Sequence, residues 1–429
     1  MTAINPGILV LLFFIPMFLG VPIGFALGMM ILFVTVNSTF ITSDVMVQTF
    51  FTSCDSFPLL AVPFFVLAGD IMLNGGLSSR IIDFASACIG RLKGSLGIVT
   101  VCACMIFAAI SGSGPATVAA IGGLMIPAMV KDNYDKAFAC SLAATAGAMG
   151  PIIPPSVLFI MYGVMAQVSV TDLFIAGAIP GVVMAVLLAL FVYVTAKKYN
   201  FGTEKEKKST REKLHALNEG KWALLVPVII LGGIYGGFVT PTEAGVLACV
   251  YALIISLFVH KEIKIKDLPA IFINTCRTTG YCMVFVGPAT VLGKILALQH
   301  IPDQLANAIY GISTNPVIIL LVVNVLFLVL GCFMEPVSSI IIFGPLIVPI
   351  ITGLGVDPVH FGIVMVLNLV IGMCTPPVGI NMFIASGIGK IPPENMFKWL
   401  FPMIGVLIVA LLIVTYVPQL SLFLVNLIG

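Results

Sequence analysis

Four glycine- and proline-rich segments interrupt apolar sequence, and hydroxyl side chains lie in or beside each. The first half has AAISGSGPATVAAIG at residues 108–122 and GPIIPPS at 150–156; the second has GCFMEPVSSIIIFG at 331–344 and GMCTPPVG at 372–379. Proline removes a backbone donor and breaks a regular helix. The carbonyls freed by unwinding suit Na⁺, and the helix N-termini that follow favour anions. The pattern predicts two cation clamps that flank one anion site.

The hydroxyl groups at these interruptions are the first candidates for contact with a solute. A hydroxyl can donate to an anionic group or coordinate an ion. A serine in a membrane helix, however, often bonds back to its own turn, and both interpretations stay open for each residue. The predicted substrate-binding residues are Ser111, Ser113, Thr117, Ser156, Ser338 and Ser339.

Glu335 is the ionisable residue at the second interruption, and ionisable groups inside a membrane are functional candidates by default. The repeat described below places it opposite Gly114. Its carboxylate could neutralise a cation or carry a proton. It could equally cap the helix that begins at the next residue, because an acid followed by proline is typical of a helix start. The sequence leaves both roles open.

The other ionisable residues in apolar segments have ordinary structural interpretations. Glu243, in TPTEAG, has the same helix-start pattern and is predicted to be structural. Asp70 and Lys294 occupy equivalent repeat positions and are predicted to be exposed near the membrane interface. Arg277 is predicted to extend its charged head to the surface.

Membrane helices must position all of these groups. Of the 429 residues, 60% are hydrophobic and only 9% are charged, against about 25% charge in soluble domains. The apolar stretches allow about ten to thirteen spans or half-spans of a membrane. No ten-residue alternation typical of a membrane β-barrel is present. The fold class predicted is therefore an all-α polytopic membrane protein.

An internal repeat relates the two halves of the chain. The pair Pro154-Pro155 aligns with Pro376-Pro377 at an offset of 376 − 154 = 222, and other Gly and Pro positions follow at nearly the same offset. Gly- and Pro-interrupted segments at corresponding positions are typical of inverted-repeat transporters. Each half is predicted to contain one re-entrant helical hairpin and one broken transmembrane helix, tolerated because they face protein or a water-filled cavity.

A charged segment separates the two repeats. Residues 197–221 contain eight of the 20 Lys and Arg residues, and basic loops of this length stay in the cytoplasm. The predicted organisation is a first inverted repeat at 1–196, a cytoplasmic linker at 197–221 and a second inverted repeat at 222–429. The linker is expected to be either a surface-lying helix or a plain connector.

Several function classes have no support in the sequence. It contains no Walker A loop for ATP hydrolysis, no H-E-x-x-H and no G-x-S-x-G at a strand–helix turn, so an enzyme is not expected. The ten cysteines are scattered, which favours packing over metal ligation. A net charge of +2 without a basic, aromatic-interleaved patch gives no indication of a nucleic-acid partner.

Six motifs in order give the chain a family resemblance. VPIGFALG, PLLAVPFFVLAGDIM, AAISGSGPATVAAIG, GPIIPPS, GFVTPTEAG and GMCTPPVGINMF together resemble the large membrane subunit of the tripartite ATP-independent periplasmic (TRAP) transporters, from about residue 7 to residue 428. The resemblance implies an elevator-type transporter with a scaffold and a mobile transport domain in the bacterial inner membrane. It also implies a separate small membrane subunit of four helices and a periplasmic substrate-binding protein.

The family resemblance also implies where ions and solute bind. One sodium site would lie between the first hairpin and the first broken helix, the other between the second hairpin and the second broken helix. Substrate would lie between the two sites, in contact with Ser111 and Ser156. The residues predicted for the first site are Ser113, Gly114, Gly150, Ile153 and Pro154; those for the second are Gly331, Met334, Glu335, Thr375 and Pro376.

The function predicted is sodium-coupled import of an organic acid, such as a C4-dicarboxylate or a sialic acid, delivered by the binding protein. Two duplicated clamps suggest at least two Na⁺ per cycle. The alternative is a stand-alone proton- or sodium-coupled carboxylate transporter of a related elevator family, with Glu335 as the proton carrier. A channel or an intramembrane enzyme is less favoured, and saturable, gradient-dependent uptake would distinguish a transporter from either.

Overall fold

The computed structural model describes residues 6–21, 23–37, 42–89, 94–203, 210–313 and 315–428. Within these ranges all regular structure is helical, which confirms the all-α prediction. Nine helical stretches in the described ranges are long and apolar enough to cross a membrane. A span needs about 20 predominantly apolar residues, and the longest stretch, Ile265–Leu298, has 34.

The described residues form eleven α-helices between Pro6 and Tyr199. Short non-α turns join some of them: a 3₁₀ turn at Phe57–Leu60 and a π-helical turn at Val118–Gly122. The helices are α1 (Pro6–Phe18), α2 (Ile23–Asn37), α3 (Ser43–Cys54), α4 (Ala61–Asn74), α5 (Leu77–Ile89), α6 (Ser95–Ser111), α7 (Gly114–Thr117), α8 (Gly123–Lys131), α9 (Lys136–Gly147), α10 (Val157–Ala166) and α11 (Val170–Tyr199).

Eleven further α-helices follow. A π-helical turn at Ile255–Val259 and 3₁₀ turns at Ile265–Asp267 and Pro393–Met396 extend three of them. The helices are α12 (Thr210–Tyr235), α13 (Pro241–Ile254), α14 (Leu268–Met283), α15 (Val286–Leu298), α16 (Ile301–Ile312), α17 (Pro316–Phe333), α18 (Pro336–Gly353), α19 (Pro358–Gly372), α20 (Ile380–Gly389), α21 (Phe397–Tyr416) and α22 (Gln419–Ile428).

Both predicted helical hairpins are present. In the first, α6 ends at Gly112, whose φ of 59° is a left-handed conformation that glycine adopts easily. The chain then returns through α7, the π-helical turn and α8. In the second, α17 ends beside Met334 in extended backbone, and α18 starts two residues later. Each hairpin therefore turns over two residues of non-helical backbone, at the place where the sequence pattern breaks.

Both predicted broken helices are present as well. Residues 148–156 are unwound between α9 and α10, and residues 373–379 are unwound between α19 and α20. The peptide bonds Pro154–Pro155 and Pro376–Pro377 are both cis. The 222-residue offset found in the sequence thus recurs in the backbone conformation.

The first hairpin and the helix that follows the second hairpin contact the long helix α11 near its two ends. A Cβ on Gly94, at the start of the first hairpin, would lie 2.6 Å from the Ala196 side chain near the end of α11. On the other side, a Cβ on Gly362, in the helix that follows the second hairpin, would lie 2.9 Å from Leu173 near the start of α11.

The charged segment at residues 197–221 includes the end of one helix and the start of the next. Helix α11 extends to Tyr199, and residues 210–221 form the first turns of α12, which continues to Tyr235 as a candidate span. Residues 210–221 are therefore continuous with a candidate span, whereas residues 200–203 are non-helical. Residues 204–209 lie outside the described ranges. The domain boundaries at 196, 197–221 and 222 stay predictions.

Lysines gather at one end of the helices around this segment. The Tyr199 and Trp399 rings lie 5.0 Å apart, and Trp399 Nε1 donates to Asp135 at 3.1 Å. These contacts bring together helix ends that bear Lys131, Lys136, Lys197, Lys198 and Lys398. At the opposite end of α11, its first turn contains Asp172. The first turn of α13 contains Glu243, and the neighbouring Thr242 Oγ1 donates to the Phe57 carbonyl at 3.1 Å.

Candidate functional site

A cavity of about 540 Å³ lies where the two hairpin tips and the two broken helices meet α4 and α14. The first residues of four helical segments line it: Gly114 after the first hairpin turn, Val157 of α10, Pro336 of α18 and Ile380 of α20. A helix N-terminus carries roughly half a positive charge on unpaired N–H groups. Four such termini around one cavity make its electrostatic potential more favourable for a negatively charged group.

The first hairpin tip forms a network of hydroxyl groups. Ser111 Oγ and Thr117 Oγ1 are 3.0 Å apart, and Thr117 Oγ1 donates to the Ser113 carbonyl at 2.7 Å. Ser113 Oγ accepts from the Ala116 amide at 3.5 Å, as the N-cap of α7. Ser111 and Ser113 line the cavity, whereas Thr117 is fully buried behind the tip. The hydroxyl of Thr117 therefore supports the turn.

The first broken helix is in backbone contact with this tip. A Cβ on Gly150 would lie 2.5 Å from the Ser113 carbonyl oxygen, closer than any side chain tolerates. A Cβ on Gly112 would lie 2.6 Å from the Pro155 carbonyl oxygen. Only glycines allow this approach, which brings together the segments predicted to hold the first sodium ion.

Ser156 stabilises the first broken helix from inside the protein. Its hydroxyl donates to the Pro151 carbonyl and accepts from the Phe159 amide at 3.3 Å. The side chain is fully buried and is absent from the lining of the cavity. In this conformation Ser156 caps α10 and fixes the unwound loop, which is the local role that the sequence left open beside substrate contact.

Glu335 is the N-cap of α18 and also lines the cavity. Its Oε2 accepts from the Ser338 amide at 3.0 Å and lies 3.4 Å from the Ser338 hydroxyl. The Ser339 hydroxyl donates to the Glu335 carbonyl at 3.2 Å. Ser338 and Ser339 are fully buried and outside the cavity lining, so in this structure they bond within their own turn.

The second broken helix contacts the backbone of the second hairpin as closely as the first broken helix contacts the first hairpin. A Cβ on Gly372 would lie 2.3 Å from the Gly331 carbonyl carbon. Thr375 Oγ1 donates to the Ile371 carbonyl at 2.9 Å, and the Met334 amide donates to the Leu330 carbonyl at 2.8 Å. Of the residues predicted for the second sodium site, Gly331 thus lies next to the second broken helix, whereas the bonds given for Thr375 and Met334 are made within their own helices.

The structure changes the alignment of the two tips. The sequence placed Glu335 opposite Gly114, through the neighbouring prolines at offset 221. As N-caps, however, Ser113 and Glu335 are equivalent, and their offset is 335 − 113 = 222, the same as for the cis prolines. The prolines differ by one position because α7 has Gly114 before Pro115, whereas α18 begins directly with proline.

Asp70 is a cavity residue that the sequence analysis missed. It was predicted to be simply exposed, yet it lines the cavity from α4. Its Oδ2 accepts from Asn274 Nδ2 at 3.0 Å and from Thr275 Oγ1 at 2.9 Å. The available signal was a carboxylate inside the span Phe57–Asn74, whose mean hydropathy is 1.7. Its partners lie more than 200 residues away and could not be read from local sequence.

Asn381 is a second missed residue. It is fully buried at the start of α20, and its Nδ2 lies 3.4 Å from the Ala144 carbonyl of α9. A Cβ on Gly114 would lie 3.2 Å from the same amide nitrogen. Asn381 therefore links the second broken helix to the tip of the first hairpin, and a buried asparagine in an apolar segment was the only signal for it.

The remaining ionisable candidates lie outside the cavity. Glu243 forms a capping box with Thr240, as its sequence pattern predicted. Lys294 Nζ lies 3.4 Å from Thr49 Oγ1, and Arg277 is exposed on α14. Among the described residues, those that line the cavity include two carboxylates, Asp70 and Glu335, and no Lys, Arg or His.

Comparison with known proteins identifies the family. Residues 10–420 match the model of the family described as "Tripartite ATP-independent periplasmic transporter, DctM component". The C4-dicarboxylate TRAP transporter large permease protein DctM of Rhodobacter capsulatus is 38% identical over 427 residues, which cover 96% of this chain and 97% of that protein. The sialic acid TRAP transporter large permease protein SiaM of Vibrio cholerae is 38% identical over 410 residues, 95% of each chain.

Two further matches differ in length or in sequence. The isethionate TRAP transporter permease protein DctMQ of Oleidesulfovibrio alaskensis is 46% identical over 404 residues; these are 94% of this chain but only 64% of that protein. The crystal structure of the Alcanivorax borkumensis YdaH transporter aligns with a TM-score of 0.63 at 12% identity, over 87% of this chain and 89% of that one, which is a likeness of fold alone. The chain belongs to the DctM family of TRAP transporter large permease subunits.

Proposed function

We propose that this permease subunit carries out sodium-coupled import of a small organic anion. The observation that carries the proposal is the charge around the cavity: four helix N-termini, two carboxylates and no cationic side chain among its described lining residues. At a separation of about 6 Å and an effective dielectric constant of about 20, an anion and one carboxylate repel by about 3 kcal/mol. Cations that bind with the anion offset this repulsion.

The two backbone crossings are the proposed cation sites. Unwound carbonyls beside helix ends coordinate Na⁺ in transporters with broken helices. The first site lies at the crossing of Ser113 with Gly150, and the second at the crossing of Gly331 with Gly372. The full proposed ligand sets are Ser113, Gly114, Gly150, Ile153 and Pro154 for the first site, and Gly331, Met334, Glu335, Thr375 and Pro376 for the second.

The proposed mechanism is an elevator movement. Helices α4, α5, α12, α13 and α14 pack against one another and would form the scaffold, while the hairpins and broken helices would form the transport domain. Binding of Na⁺ orders both crossings and completes the anion site between them. The transport domain then carries ions and solute past the scaffold together, which makes uptake depend on the sodium gradient.

The proposed partners and membrane follow from the family. Its large permease subunits work with a small membrane subunit, here proposed to have four helices, and with a periplasmic binding protein that delivers the solute. The cluster of lysines at the ends of α8, α11 and α21 supports a cytoplasmic location for that end of the molecule, in the bacterial inner membrane. The relatives are named for isethionate, C4-dicarboxylates and sialic acid, all organic anions.

Thermal unfolding of the purified chain in NaCl, KCl and choline chloride at equal ionic strength tests the sodium sites. A ligand that binds only the folded state raises the melting temperature by mass action. We expect a saturable rise specific to Na⁺, weakened in Thr375→Ala and unchanged in the control Thr352→Ala, whose hydroxyl also bonds to its own turn but lies away from the crossing.

Equal melting temperatures in the three salts would contradict sodium coupling. A melting temperature that depends on pH but not on Na⁺ would instead support the proton-coupled alternative, provided that Glu335→Gln abolishes the pH dependence. Saturable uptake of a radiolabelled organic acid by proteoliposomes that contain the small subunit and the binding protein, driven by an inward sodium gradient, tests transport itself.

A further inference from the structure

One wall of the cavity is formed by helices that make no part of the cation clamps. It consists of α4 and α14, and its charged group is Asp70. The neighbouring Gly69 packs on the first hairpin tip: a Cβ at Gly69 would lie 3.4 Å from the Ser111 Cα. Asp70 therefore lies one residue from direct contact with the tip that faces the proposed anion site.

The carboxylate of Asp70 is held in place by one of its two oxygens. Both α14 donors, Asn274 Nδ2 and Thr275 Oγ1, bond to Oδ2. Thr275 is buried and Asp70 is half-buried, so the pair is fixed between the two helices. Among the described residues no side chain donates to Oδ1, which leaves this oxygen as an acceptor for whatever occupies the cavity.

The two walls of the cavity therefore differ in their electrostatic interaction with a solute. The helix N-termini attract a negatively charged group, and three of the four have no carboxylate at the cap; Glu335 caps the fourth. At the α4–α14 wall, the Asp70 carboxylate repels a second negative group and accepts from a donor. A solute with one anionic end and one hydroxyl or ammonium end satisfies both walls. A dicarboxylate satisfies the N-termini and brings like charges together at Asp70.

We propose that Asp70 is a specificity-determining residue, which accepts a hydrogen bond from an uncharged or cationic donor at the distal end of a monoanionic solute and disfavours dicarboxylates. This inference rests on the proposed function, because it assumes that an anion occupies the cavity. It goes beyond that function by naming the substrate class: short hydroxylated or aminated monoanions.

Three four-carbon acids that differ only at the distal end test the inference: 4-hydroxybutyrate, butyrate and succinate. The measurement is the concentration of each acid that gives the half-maximal rise in melting temperature of the purified permease in saturating NaCl. For the wild type we expect 4-hydroxybutyrate to bind about tenfold more tightly than butyrate or succinate, since a hydrogen bond to a charged group contributes about that factor.

Asp70→Asn is the test variant, because its amide oxygen can still accept from Asn274 and Thr275 and so keeps α4 and α14 together. We expect the preference for 4-hydroxybutyrate over succinate to fall about tenfold. The charge-conserving Asp70→Glu should retain the order of affinities. Asp83→Asn removes a carboxylate exposed on α5 and should change nothing.

The outcomes separate this inference from the proposed function. A wild type that binds succinate as tightly as 4-hydroxybutyrate, or an unchanged preference in Asp70→Asn, would overturn the role of Asp70 while sodium-dependent anion binding stands. If Na⁺ raises the melting temperature but none of the three acids adds to it, the assigned solute class is wrong. If neither Na⁺ nor any acid has an effect, the proposed function fails and takes this inference with it.

Discussion

The tips of the two hairpins have the same backbone role and different chemistry. At each tip one residue caps the returning helix, and a glycine of the following broken helix presses against the hairpin backbone. The capping residue is a neutral hydroxyl at Ser113 and a carboxylate at Glu335. Duplication has preserved the geometry of the crossing, which only glycine permits, while the charge beside it has diverged. The two proposed cation sites are therefore expected to differ in affinity.

The largest effect is expected from a side chain at a crossing. Gly372→Ala would place a methyl group 2.3 Å from the Gly331 carbonyl carbon, and Gly150→Ala would place one 2.5 Å from the Ser113 carbonyl oxygen. Each should cost about 1–3 kcal/mol of stability or more and remove the sodium-dependent rise in melting temperature.

The matched control for the crossings is Gly387→Ala in α20, where no heavy atom lies within 4 Å of the new methyl group. It should unfold like the wild type in both NaCl and choline chloride. If Gly372→Ala melted like the wild type, the crossing would accommodate a methyl group. That result would contradict the conclusion that only glycine permits the crossing.

A smaller effect is expected from the capping residues. Glu335→Gln removes a full negative charge beside the second proposed site and should raise the Na⁺ concentration required for half-maximal stabilisation about tenfold, equivalent to about 1.4 kcal/mol. Ser113→Ala removes only a hydroxyl and should raise it by less than about threefold. Titration of the melting temperature with NaCl for both variants measures the ratio; an equal or reversed order would refute the difference in affinity.

Two helix caps, one buried and one exposed, are also expected to differ in their contribution to stability. Ser156→Ala removes both the cap of α10 and the donor to the buried Pro151 carbonyl, and should cost about 2 kcal/mol. Ser169→Ala removes the cap of α11 at the exposed end and should cost about 0.5–1 kcal/mol. Chemical denaturation of the two variants in the absence of Na⁺ measures the difference, and equal losses would mean that the Pro151 bond contributes nothing.

Much of the fold followed from local rules in the sequence. Single prolines such as Pro180 and Pro402 lie inside continuous helices, but clustered glycines and prolines do not allow one. The interruptions at Ser-Gly-Ser-Gly-Pro and at both Pro-Pro pairs could therefore be placed to within a few residues. The repeat then connected them, because matched interruptions at one offset predict the same element in each half. The hairpins and broken helices were predictable for this reason.

The composition of the cavity was less accessible from sequence. Asp70 faces the cavity because α14 packs against α4, and that packing joins residues 204 and 205 positions apart. Asn381 contacts the first hairpin although it belongs to the second half. The equivalence of Ser113 and Glu335 depended on which residue caps each helix, and a one-residue difference in the position of proline concealed it.

The close contact of Gly331 with Gly372 limits how this transporter can diversify. A Cβ at position 372 would lie 2.3 Å from the Gly331 carbonyl carbon, so Gly372 cannot be replaced without a shift of the backbone at this crossing. Asp70 and Asn274 line the cavity from α4 and α14 with side chains, and their replacement does not require a backbone shift at the crossing. If the proposed function holds, new solute preferences can arise by single substitutions on that wall while the proposed ion sites stay unchanged.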